Sequence, residues 1–233
     1  MDTSTNFAAA LLGLDQPICP YAGLRTFTED EAIYFRGRTT HVAKCLDLLV
    51  EQQFVMITGA SGDGKSSLVF AGMLPEVRAG FVRARHSKWA VATFRPERSP
   101  LRNLAQALAP ALRLPSSTSV EMELERGFSA LVQLYQASEL CPPAPPAEGL
   151  APAEQRQQER QAANLLLVVD QFEEFFTNPE NYDGDQPNTA AQTVVNLLLE
   201  TTRLAQAENL PIYIVCTMRS DFVGQCAEFR GLI

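Results

Sequence analysis

Four short apolar runs recur along the chain, at 53–58, 89–94, 165–170 and 212–217. Each has the length of a buried strand, and amphipathic stretches of helical length separate them. The spacing predicts a helical turn through Ala32 and Phe35, where Thr28-Glu29-Asp30-Glu31 has capping-box spacing. Thr39 or Thr40 is then expected to cap a helix whose apolar face is Val42, Cys45, Leu46, Leu49 and Val50. A helix follows the first strand to about residue 74, two more are expected near 100–112 and 119–138, and a long one runs from Thr189 to Glu208. Asn178 to Asn188 reads as a polar loop. Strands alternating with helices imply an α/β fold: a three-layer sandwich with a mainly parallel sheet, covered on both faces.

Two segments break this rhythm. Residues 1–18 read as a short helix and a loop ahead of the main domain at 19–233. An exposed insert is expected at about 141–162, where Cys141-Pro142-Pro143-Ala144-Pro145-Pro146 leads into a Gln/Arg/Glu-rich stretch. At 233 residues, 46% hydrophobic and 20% charged, the chain suffices for one α/β core. A net charge of −8, with Lys44, Lys65 and Lys88 as the only lysines, argues against generic nucleic-acid binding. The arginines Arg78, Arg83 and Arg85 form a local patch that could meet a polyanion, but a solvated loop is the expectation for them. The five cysteines, Cys19, Cys45, Cys141, Cys216 and Cys226, lack metal-ligand spacing, and Cys216 is expected to be a buried apolar residue. No run is long enough to span a bilayer, and Asp2 stands where a signal peptide carries positive charge. A cytoplasmic, reducing location is the expectation.

The chemistry begins at Gly59-Ala60-Ser61-Gly62-Asp63-Gly64-Lys65-Ser66, a complete phosphate-binding loop between a strand and a helix. Such a loop points backbone N–H groups inward, and the helix N-terminus adds its positive end. Lys65 is placed for the outer phosphates and the Ser66 hydroxyl for Mg²⁺, with Ser67 beside it. Leu166-Leu167-Val168-Val169-Asp170 is a Walker B strand, whose Asp170 can hold Mg²⁺ through water. A water-polarising glutamate often follows directly, but here that position is Gln171. Glu173 or Glu174 is expected to act as the base. Arg219, leaving the last strand, points toward a γ-phosphate and can tell ATP from ADP; the competing expectation pairs it with Asp221.

These pieces resemble one family. Cys19-Pro20-Tyr21-Ala22-Gly23-Leu24-Arg25-Thr26-Phe27, then Glu29-Asp30-Glu31-Ala32 and Tyr34-Phe35-Arg36-Gly37-Arg38, are similar to the opening signature of the novel STAND NTPases, signal transduction ATPases with numerous domains. Val169 to Glu174 and Thr217 to Phe222 resemble that family's Walker B and sensor-arginine segments. Arg36 and Thr39 depart from the family's usual aromatic and acidic residues. Asp170-Gln171-Phe172-Glu173-Glu174 also resembles the acidic box of NACHT-type relatives. The resemblance makes Arg38 a candidate nucleotide contact. It also puts the sensor strand between the Walker B and phosphate-loop strands. It implies that the chain lacks a last strand and a lid, so the fold is C-terminally incomplete. Further repeat or effector domains in one longer polypeptide are implied, as are ATP and Mg²⁺ as ligands and a homo-oligomer on activation. The role implied is a slowly hydrolysing switch in signalling or antiviral defence.

Two other classes compete. A small-molecule kinase shares the loop but needs an acceptor site and usually an arginine-rich lid, which the sequence does not offer. A scaffold module that holds nucleotide without turnover fits Gln171. A GTPase is disfavoured because none of the three lysines sits in a guanine-reading motif.

Overall fold

A computed structural model describes residue 23 and residues 25–141, 161–183, 186–229 and 232. The expected N-terminal helix at 1–18 and most of the Pro-rich insert lie outside the described residues. In chain order the strands are β1 (Phe54–Gly59), β2 (Trp89–Phe94), β3 (Asn164–Val169), β4 (Tyr182–Asp183), β5 (Gln186–Pro187) and β6 (Ile212–Arg219). The central sheet has the order β1-β6-β3-β2, and every pairing in it is parallel. β6 thus separates the phosphate-loop strand from the Walker B strand, as the resemblance implies.

Parallel strands need crossovers, and helices supply them on both faces. On one face lie α1 (Thr39–Gln52) and the helical run α2 (65–78). Val42, Leu49, Val69, Met73, Leu74 and Val77 pack there against Leu166, Val168, Tyr213 and Val215. On the other face lie α3 (Pro100–Ala111), α4 (Ser117–Leu124), α5 (Ala130–Ala137), the single turn α6 (Glu174–Thr177) and α7 (Thr189–Ala207). Their side chains close over Leu165, Leu167, Val169, Ile214 and Cys216. Alternate β3 residues therefore point into opposite cores, which is why β3 is an unbroken apolar run. Leu165 through Val169 are fully buried, each stabilising by about 1.5–3 kcal/mol relative to exposure.

α2 is not a uniform helix. Leu68–Met73 carries a π-helical stretch, and Gly72 lies within it. A Cβ on Gly72 would come 2.6 Å from Val42 Cγ2 and 3.3 Å from the Phe35 ring. That close approach docks α1 and the preceding turn onto the phosphate-loop helix. The turn itself, Glu29–Tyr34, is a 3₁₀ helix with the expected capping box between Thr28 and Glu31.

Four expectations need correction. The N-cap of α1 is Arg38 and Thr39 is its first residue, so neither threonine caps it. The helix expected over 119–138 is two helices, because the chain breaks after Leu124 and restarts at Ala130 across Gly127. The apolar period continues across the break because both halves bury onto the same core. The polar loop 178–188 contains a 3₁₀ turn, Pro179–Asn181, and an antiparallel ribbon of β4 with β5. Asn188 then caps α7, its side chain accepting from Ala191 N at 2.8 Å. Finally, β6 extends to Arg219, and its register sets Arg219 level with Gly59.

Candidate functional site: a nucleotide cleft at the carboxyl ends of β1, β3 and β6

β1 delivers the chain to the loop, and glycine conformations turn it. Gly62 and Gly64 sit at φ +85° and +78°, where a Cβ is strained. Asp63 braces the turn by accepting a hydrogen bond from Ala60 N at 2.7 Å. Lys65 folds back over the loop, donating to the carbonyls of Gly59 at 3.0 Å and Ala60 at 2.7 Å. Arg38 reaches the same loop from the head of α1 and donates to Asp63 O at 3.0 Å. Ser67 is buried instead, and its hydroxyl accepts from Phe27 N at 3.0 Å. The opening signature is thereby tied to the phosphate-loop helix.

Asp170 is 1% exposed at the end of β3. Its Oδ1 accepts from Ser66 Oγ at 2.6 Å and from Thr217 Oγ1 at 2.8 Å. Its Oδ2 accepts from Arg95 Nε at 3.0 Å and Nη2 at 2.8 Å. The structure therefore joins the two residues expected to hold Mg²⁺. Thr217 and Arg95 were not among the sequence candidates. Thr217 opens the segment that resembles the family's, but only the fold brings its hydroxyl to Asp170, and a lone arginine after a strand carries no local signal.

The adjacent glutamates part company. Glu173 lines the cleft and its carboxylate accepts from Arg219 N at 3.2 Å. Glu174 turns the other way, accepting from Glu97 N at 2.9 Å on the β2–α3 loop. Burial pushes its carboxyl above the ordinary value, against the opposing pull of that N–H. Gln171, at φ +60°, lines the cleft while its N–H is held by Thr217 Oγ1 at 3.0 Å. Arg219 also lines the cleft. One terminal nitrogen pairs with Asp221, as the competing expectation had it, and the guanidinium lies 5.2 Å from the Phe222 ring centre. Its Nε is buried and has no hydrogen-bond acceptor among the described residues. The Arg219 bond, more than any other cause, holds the Asp221 carboxyl below its usual range, and Lys65 adds to the effect.

The cleft has a volume of about 310 Å³. Gly62, Gly64, Lys65 and Ser66 form one wall, Glu173, Thr217 and Arg219 another, and Arg25, Thr26 and Phe27 a third. Arg38 reaches the loop but does not line the cleft, and neither does Glu174. The Ser66 hydroxyl and the Asp170 carboxylate are the hard oxygen donors that a divalent ion takes, and in this structure they are engaged with each other and with Thr217 and Arg95.

A parallel sheet, a glycine-turned loop at a helix N-terminus and a buried Walker B carboxylate together define a P-loop NTPase domain. The family model for Novel STAND NTPase 1 matches residues 20–233, and the chain belongs to that family. No curated protein and no solved structure matches the chain. Family membership implies nucleotide binding. Among the described residues, no helix is long and apolar enough to cross a membrane.

Proposed function

We propose that this domain is an ATP-dependent regulatory switch that hydrolyses ATP slowly, within a larger signalling or defence protein. The observation that carries this reading is the convergence of Lys65, Ser66, Glu173 and Arg219 on one cleft. Lys65 is held by carbonyls rather than by an acid. It can exchange those neutral partners for phosphate oxygens, which bind it more strongly. Ser66 and Asp170 are the residues that would hold Mg²⁺. When bound, that ion neutralises charge on the β- and γ-phosphates. Glu173 faces the cleft and is the better-placed acceptor for the proton of an attacking water. Arg219 can leave Asp221 for the γ-phosphate, a choice that ADP does not offer.

The same exchange makes the domain a two-state element. With Arg219 on Asp221, the 3₁₀ segment Ser220–Glu228 is held from its first turn. With Arg219 on a γ-phosphate, that tie is released. A ligand shifts such an equilibrium only through differential contacts, and this pair supplies one. A second reading, nucleotide held without turnover, is favoured by Gln171, which directly follows Asp170 and has no group able to take a proton.

Arg219→Ala separates sensing from holding. In titration calorimetry it should weaken ATP more than ADP, reducing the preference about tenfold, as expected for one charge-assisted contact. Equal weakening of both nucleotides would contradict the sensing role. Measurable phosphate release by the wild-type protein, with no added acceptor, favours the ATPase over the scaffold reading.

A further inference from the structure

Asp170 has no free acceptor site. A carboxylate offers about four lone-pair positions, and four donors reach this one: Ser66, Thr217 and two nitrogens of Arg95. The carboxylate's charge is also already matched. Arg95 forms an ion pair with it at 2.8 Å, side-on through Nε and Nη2, although the Arg95 side chain is 42% exposed and Asp170 is buried. A buried carboxylate needs such a counter-charge, because an unpaired one is strongly destabilising.

We propose that Arg95 is a resident cation that competes with the divalent metal for Asp170, so that loading metal and nucleotide requires Arg95 to withdraw. This rests on the nucleotide reading given above. Rotating Ser66 toward a metal would open one site on Oδ1, but it would not remove the guanidinium from the other oxygen. Two cations would then share one carboxylate charge, which like-charge repulsion opposes.

Arg95 also has somewhere to go. A cleft of about 370 Å³ lies beside the ion pair, lined by Phe70, Thr93, Glu97, Asn103 and Gln106 together with Arg95 and Asp170. Glu97 supplies an alternative acid there. The backbone around Arg95 is fixed while its side chain is half-exposed. Asn103 Nδ2 donates to Arg95 O and Pro96 O, both at 3.1 Å. Glu97 is held through its N–H by Glu174 and through its carbonyl by Asn181 Nδ2 at 2.8 Å. Withdrawal is therefore a side-chain rotation on a braced loop. Arg95 acts through Asp170, as a positioning residue and not a catalytic one.

The test is the magnesium dependence of ATP binding by the 233-residue chain, measured by calorimetry as the ratio of Kd without Mg²⁺ to Kd with it. Wild type, Arg95→Gln and Arg95→Lys are compared, each first melted without ligand. Removing the competing charge should raise this ratio about tenfold in Arg95→Gln, the scale of one charge-assisted bond. Arg95→Lys, which keeps the charge but loses the side-on geometry, should fall between. The ligand-free Arg95→Gln protein should melt lower, and Mg²⁺ with ATP should restore more of its melting temperature than in wild type. If Arg95→Gln does not fold, Arg95→Lys carries the comparison. ATP binding with an unchanged or smaller ratio in the folded variants would overturn the inference and leave the nucleotide reading intact. No ATP binding by wild type would overturn the nucleotide reading and this inference with it.

Discussion

Asp170 stands between two neighbourhoods built on different principles. On one side the phosphate loop is held mainly by its own residues: Asp63 braces Ala60, and Lys65 folds onto Gly59 and Ala60. On the other side the β2–α3 loop is held by Asn103 and also by side chains from distant parts of the chain. Asn181 donates to Glu97 O and Glu174 O, and Glu174 accepts from Glu97 N. The first neighbourhood is local and its donors are free to turn toward a ligand. The second is non-local and braced, and it presents Arg95 to the same carboxylate. In the proposed switch, the first neighbourhood supplies groups that exchange partners when nucleotide enters, and the second supplies the frame from which the Arg95 side chain moves.

The two adjacent glutamates make the sharpest contrast. Glu173 belongs to the cleft and Glu174 to the brace. Glu173→Gln should keep ATP binding and lower turnover about 100-fold or more, the usual scale for a lost general base. Glu174→Gln should change turnover by only a few fold, since its amide oxygen can still accept from Glu97 N. Single-turnover phosphate release measures both, and equal effects would erase the distinction.

Cutting the brace should cost stability and leave the loop's chemistry alone. Asn181 is fully buried and its Nδ2 serves two carbonyls. Asn181→Ala leaves both unsatisfied and should destabilise the fold by about 1–3 kcal/mol in urea unfolding. An unchanged midpoint would mean that the brace holds nothing.

The smallest expected effect is a pH dependence. Burial raises the Glu174 carboxyl above its ordinary value of 4.5. A raised acid favours its protonated form when folded. Its contribution is therefore fully present below pH 4.5 and is lost as pH rises through the higher folded value. The unfolding free energy of wild type minus that of Glu174→Gln should fall as pH rises through that window. A flat difference would contradict the assignment.

The same contrast explains what the sequence could reveal. Loop glycines, Lys65 and Ser66 act within eight residues, so their spacing encodes their geometry. The inner strands β3 and β6 were legible because burial on both faces makes each a continuous apolar run, whereas the short ribbon of β4 and β5 lies in a polar stretch that carries no such pattern. Arg95 was not legible: it lies 75 residues from Asp170 in sequence, and only the pairing of β2 with β3 joins them. Glu173 and Glu174 could not be told apart, since neighbours in one turn differ only in which way each points. The break between α4 and α5 was hidden because both helices bury apolar residues against one core.

The proposed switch requires that the loop, Asp170, Glu173 and Arg219 form one nucleotide site whose affinity depends chiefly on Lys65. Its most direct test is calorimetric titration of ATP with Mg²⁺ into wild type and Lys65→Ala, with thermal melts of both. Among the described residues, Lys65 donates to two loop carbonyls and no acid. The ligand-free variant should therefore melt close to wild type, while ATP binding and ATP-induced stabilisation disappear. An ATP-induced shift that survives unchanged in Lys65→Ala would contradict the account.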